Sequence, residues 1–156
     1  MKSPKFSIAH EDSEMLGLVK KTGHKTLAIW AIDCAQRVLP YFEQDYPNDP
    51  RPRQALNTLK ELLKTGIFEM SAIRKASLDS HAAAREVGVD SPARSDARAC
   101  GQAVATAHVP RHAYGPAIYA QQAVFRSSGP LNAEESATKE RNWQYQHLLK
   151  LIQKRQ

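Results

Sequence analysis

A chain of 156 residues is long enough to bury a core without disulfides or metal to staple it, and too short for two ordinary domains. Its 42% hydrophobic and 24% charged content excludes intrinsic disorder, and no stretch approaches the roughly 20 apolar residues of a membrane span. The formal charge of +6 favours acidic partners, yet the lysines and arginines are scattered, with small clusters only at Lys20-Lys21 and at Lys150, Lys154 and Arg155.

The first nine residues lack the apolar run of a secretory signal, which predicts a cytoplasmic protein. They lead into a short predicted helix from about Glu11 to Lys21, with Met15, Leu16 and Val19 on one face before Gly23 interrupts. Residues 1–23 therefore read as an N-terminal arm and 24–156 as the helical domain proper. From His24 the residues Leu27, Trp30, Ala31, Cys34, Ala35 and Val38 recur at i, i+3, i+4 spacing, the apolar stripe of a packed helix, which Pro40 should kink or end. The proline-rich run from Tyr46 to Pro52 is a turn in which Asp49 can cap the next helix and Pro50 is preset for its first turn.

That helix carries Ala55, Leu56, Leu59, Leu62 and Leu63 on one side until Gly66. Another spans about Glu69 to Glu86 and ends at Gly88. Its face of Ala72, Ile73, Ala76, Ser80, Ala83 and Ala84 is small enough to let a neighbour approach closely. Ser91-Pro92 has the cap-then-proline order of a helix start, and Ala97, Cys100, Gly101, Val104 and His108 form the next stripe. Pro110 should break that helix, because proline lacks the amide donor and restricts the residue before it. A helix from about Arg111 to Ser127 follows, irregular at Gly115-Pro116, with Ala117, Ala120, Ala123 and Val124 inward. After the turn Ser128-Gly129-Pro130, Asn132 with Glu135 resembles a cap pairing, and Ala137, Arg141, Tyr145, Leu148 and Ile152 mark the last helix.

No alternating β-branched run argues for a sheet. The fold class is all-α: a single-domain bundle of about six to seven helices, with stacked helical pairs as the alternative arrangement.

Motifs for chemistry are sparse. Cys34 and Cys100 sit in helical patterns without a C-x-x-C pair, which predicts reduced, buried thiols. Asp33 and Arg37, at i, i+4 beside Trp30, form either a surface ion pair or, half-buried, a binding anchor, since Trp and Arg dominate such sites. His108 and His112 share the spacing of a helical metal pair, but Pro110 lies between them and no H-E-x-x-H carboxylate accompanies them. Cys100 and His108 are about 12 Å apart along a helix, too far for a nucleophile and its base. No G-x-S-x-G, phosphate-cradling loop or dinucleotide fingerprint is present, so neither an enzyme nor a cofactor is predicted. A helix-turn-helix signature and arginine-interleaved aromatics are absent as well.

Several segments in order carry a resemblance: W-A-I-D-C-A from Trp30 to Ala35, Val38-Leu39-Pro40, D-P-R-P from Asp49 to Pro52, A-V-A-T-A-H-V from Ala103 to Val109, His112, and Tyr119-Ala120. Together they resemble the immunity-protein-five-like family of bacterial polymorphic toxin systems, over residues 24–127. The resemblance implies an all-helical protein, encoded near a toxin, that binds that toxin and blocks it. The positions it marks as a working surface are Trp30, Asp33, Arg37, His108 and His112. A toxin-neutralising binding protein is accordingly the function expected, with a homodimer compatible with it. The alternative is a basic helical-repeat protein that grips nucleic acid by backbone contacts.

Overall fold

The computed structural model describes residues 5–8 and 12–155. Seven α-helices account for most of them: α1 (Ser13–Lys20), α2 (His24–Asp45), α3 (Arg51–Thr65), α4 (Met70–Val87), α5 (Pro92–Ala105), α6 (Tyr114–Ser127) and α7 (Ala133–Lys154). One 3-10 turn, Pro110–Ala113, joins α5 to α6, and no strand occurs among the described residues.

The first helix begins at Ser13, where the Asp12 side chain accepts the Met15 amide at 3.1 Å; Glu11 lies outside the described residues. Met15 and Val19 are buried in the same core as α2, α3 and α5. α2 does not stop at Pro40 but continues to Asp45. A proline inside a helix removes one ladder bond and costs about 3 kcal/mol. Here Val38, Leu39 and Phe42 are all buried around the break, and their burial outweighs it. The start of α3 is shifted by one residue from the expectation: Pro50 occupies the cap position, Pro52 the first turn, and Asp49 Oδ1 accepts the Arg51 amide at 3.1 Å.

Gly66 and Gly88 end α3 and α4 in the left-handed region at φ 73° and 80°, where a side chain would be strained. Ser91 caps α5 through the Arg94 amide. α5 is the central helix: ten of its fourteen residues are buried, nearly all of them small, and α2, α3, α4 and α6 pack around it. Ser80 Oγ donates to the Ala97 carbonyl at 2.7 Å and Ser77 Oγ to that of Gly101 at 2.9 Å, so α4 is fastened to it by hydrogen bonds as well as by alanines.

Three details depart from the sequence pattern. α5 ends at Ala105 in overlapping i→i+3 bonds, which takes His108 off the apolar stripe and leaves it exposed. Asn132 makes no side-chain cap bond, and Glu135 instead meets Lys139 at 3.3 Å. The inward face of α7 is Ala133, Ala137, Glu140, Gln144 and Leu148, with Arg141, Tyr145 and Ile152 only half-buried beside it. Gln144 earns that place: its Nε2 donates to the Ala117 carbonyl, and its Oε1 accepts from Gln121, both at 2.9 Å. Arg141 turns to α1, bonding Asp12 and Glu14 at 2.7 Å each.

Candidate functional site

α2 presents Trp30, Asp33 and Arg37 at successive turns, the spacing that puts them on one side of a helix. That side meets α7. Trp30 is 0% exposed, and its indole N–H donates to the Gln144 carbonyl at 2.9 Å. It is therefore a core residue that fixes α7 against α2, not a side chain a partner can touch. Asp33 and Arg37 do not form the i, i+4 pair that their spacing suggests. Each reaches across the seam instead: Asp33 Oδ2 lies 2.7 Å from His147 Nε2, and Arg37 bonds both oxygens of Glu140 at 2.9 Å.

Between these two contacts stands Trp143. The Arg37 guanidinium lies 3.7 Å from its ring centroid, and the His147 ring stacks on it at 4.7 Å and 15°. A guanidinium over an indole is attracted by the ring quadrupole, and its planar fork matches a carboxylate with two parallel bonds. The Glu140 side chain is 7% exposed and that of Arg37 41%, so one end of the pair is in the protein and the other at the surface. The hydrogen bond to Glu140 pushes the guanidinium further toward its charged form. Cys34 lies beneath; burial, then the neighbouring Glu140 and Asp33 charges, push its thiol well above the usual range.

The structure thus brings Asp33 and Arg37 together with Glu140, Trp143 and His147, none of which was singled out from sequence. The signal that could have found them is the i, i+3, i+7 row of Glu140, Trp143 and His147, masked because two of the three are polar.

His108 and His112 sit at the opposite kind of place, the loop that leaves α5. Their ring centroids are 6.2 Å apart, and His112 Nδ1–H donates to Gln102 Oε1 at 3.2 Å. Burial, with the positive fields of His108 and Arg111, pushes the His112 imidazole below its usual pKa. Gly115 makes room for this contact, because a Cβ there would stand 3.0 Å from Gln102 Cβ and Cγ. No group of three His, Cys, Asp or Glu side chains among the described residues is placed to hold a metal ion.

Two further titratable groups lie in the interior or at its edge, Asp96 fully buried and His81 half-buried. Asp96 on α5 is fully buried; Cys100 Sγ approaches its Oδ1 at 3.5 Å, and Oδ2 has no partner. Burial holds this carboxyl protonated, with a pKa of about 8. His81 on α4 packs over Gly101, where a Cβ would meet its ring at 2.7 Å, and Arg98 bonds its Nδ1 at 3.0 Å. Desolvation, then the charges of Arg98 and Arg85, lower it to about 4.

Two open concavities are also present: one of about 480 Å³ lined by Phe6, Phe125, Glu134 and Arg141, and a groove of about 710 Å³ between α3 and α4. Leu62, Ile67, Ala72 and Ala76 are among its walls, so Ala72 faces open space rather than a neighbouring helix.

The family model described as "Imm-5 like putative immunity protein" matches residues 17–151. The match takes in most of α7 and half of α1, beyond the segment whose motifs carry the resemblance. No curated protein and no solved structure matches the chain.

Proposed function

We propose, from the premise that this chain belongs to the Imm-5 like family of immunity proteins, that it is a non-catalytic binding protein which neutralises a cognate bacterial toxin in the cytoplasm by direct contact. The observation that carries this reading is the family match, which spans nearly the whole helical body. The condition of the reactive groups supports it. Cys34 and Cys100 are buried with raised pKa values, and the only sealed carboxylate without a charge partner, among the described residues, is Asp96 in the interior. Thiols in that state are poor nucleophiles.

In this reading Arg37 and Asp33 contribute the exposed edge of the α2–α7 seam, and His108 and His112 an edge at the other loop. Trp30 acts beneath them by holding the seam. Interfaces draw on such Arg and Trp clusters ringed by polar groups.

The test is co-expression with the toxin domain encoded beside its gene. Restored growth, together with a stoichiometric complex that survives moderate salt, is the expected result. A well-folded protein that gives neither protection nor complex would remove the immunity reading. Recovery of nucleic acid that dissociates steeply between low and moderate salt would replace it with the nucleic-acid alternative, for which the net charge of +6 is the one favouring observation.

A further inference from the structure

The α3–α4 hairpin encloses an open groove whose walls combine apolar side chains with carboxylates that have no ion pair among the described residues. α3 and α4 are joined by only four residues, so they run antiparallel; the contact of Arg51, at the start of α3, with Glu86, near the end of α4, agrees. The trough between them is about 22 Å long at 1.5 Å per residue over α3.

Its apolar walls are Leu62, Ile67, Ala72, Ile73 and Ala76, of which Ile67 is 65% exposed; Phe68 and Met70, next to it in the chain, are exposed outside the lining. Contiguous exposed apolar residues rimmed by polar ones mark interaction sites. The small-residue face of α4 explains the depth. Ser80, Ala83 and Ala84 are filled in by neighbouring helices, while the same face continues to Ala72, which nothing covers. Small side chains are what allow two helices to approach closely.

Charge then selects the occupant. The lining bases are already engaged: Arg51 by Asp49 and Glu86, and Lys75 by Asp79. Glu61 and Glu69, at the loop end, have no ion pair among the described residues. On a chain with a net charge of +6, two of the carboxylates left without an ion pair among the described residues therefore lie together in this trough.

We propose that the α3–α4 groove is a docking site for a basic amphipathic helix of a protein partner, its apolar face on Leu62, Ile67 and Ala72 and its Lys or Arg side chains against Glu61 and Glu69. Two antiparallel helices leave a trough that a third helix completes by ridge-into-groove packing, and recognition of an amphipathic helix in a groove is a recurrent mode. The proposal rests on the reading of this chain as a protein-binding immunity protein and names the chemistry of its partner.

The experiment uses the full chain and a synthetic helical peptide of about four turns, leucines along one face and lysines flanking them, with a glutamate-flanked twin as control. Binding is followed by fluorescence anisotropy and mapped by amide chemical shifts. Saturable binding of the lysine peptide, shifts centred on α3, α4 and their loop, and at least tenfold weaker binding of the glutamate twin are expected. The exposed-residue variants Glu61→Lys with Glu69→Lys, and separately Ala72→Arg, should each weaken binding by tenfold or more with the thermal transition unchanged. Equal binding of the two peptides, shifts elsewhere, self-association through the groove, or indifference to these variants would overturn the proposal. Failure of the broader reading looks different. A chain that binds the peptide in the groove yet protects against no toxin keeps the site and loses the immunity function. A toxin complex untouched by the groove variants keeps the function and loses the site.

Discussion

Arg37 and Glu140 meet across the α2–α7 seam with two hydrogen bonds of 2.9 Å, a surface guanidinium reaching down to a carboxylate that is almost wholly enclosed. Removing the two partners should not have equal effects. Arg37→Ala leaves a buried charge uncompensated and should cost about 2 kcal/mol, less than a fully buried pair because Arg37 is partly solvated. Glu140→Gln keeps the shape and one acceptor and should cost less than half as much. Urea denaturation of both variants, with toxin affinity measured in parallel, checks this. Affinity lost beyond what the fall in stability accounts for is expected if Arg37 also contributes to the binding edge; affinity unchanged in the folded variant would leave it a purely structural residue.

Trp30→Ala should cost about 3–5 kcal/mol, the range for deleting a large core aromatic, because the indole is fully enclosed and its N–H holds the Gln144 carbonyl. Loss of the cooperative thermal transition, or a fall in its midpoint by many degrees, is expected. Trp30→Phe should recover part of the packing and none of the hydrogen bond.

Asp96 and His81 give the pH profile a particular shape. His81, with a folded pKa of about 4, takes up a proton on unfolding below its usual value, so its contribution to stability rises with pH from about 4 to 6.5. Asp96, with a folded pKa of about 8, releases a proton on unfolding above its usual value, so its contribution falls from about pH 4 to 8. Each slope is about 1.4 kcal/mol per pH unit. The two oppose one another up to about pH 6.5, and above that Asp96 acts alone, so stability should decline toward pH 8. Asp96→Asn should abolish the decline and expose the rise due to His81. Denaturation midpoints at unit intervals from pH 4 to 9 measure both; a flat wild-type profile between pH 6.5 and 8 would refute the assignment to Asp96.

Gly101→Ala should destabilise by about 1–3 kcal/mol through overpacking, since its methyl would stand 2.7 Å from His81 Nε2. Most of that cost should vanish in the His81→Ala background, and a double-mutant cycle reads the difference. Glycine at this position is required by a close approach rather than by backbone conformation.

How much of this was legible in the amino-acid order depends on whether a residue obeys its helix's apolar rhythm. The α2 stripe from Leu27 to Val38 is buried as its spacing predicts, and Ser91-Pro92 opens α5 as its chemistry predicts. Helix ends marked by Gly66 and Gly88 were equally plain. Of the two outcomes open at Pro40, a kink or an end, the end does not occur, because local helix-breaking energy is smaller than the packing on either side of it. Asp33 and Arg37 were visible as a pair but not their partners, which lie more than a hundred residues away on a helix whose inner row is half polar. Glu140 and Gln144 break the period that would have marked them as interior. Sequence spacing reports neighbours along one helix; it carries no direct signal of which other helix will face them.

The enclosure of α5 by α2, α3, α4 and α6, open along the half-buried row Arg94, Arg98 and Gln102, has a dynamic consequence. The amides of its buried residues should exchange with deuterium nearly as slowly as the entire molecule opens. The α3–α4 loop, with its apolar side chains already in water, should exchange orders of magnitude sooner. A slow axis with a fast outer lip lets the groove adjust to a guest while the frame that spaces its walls stays put.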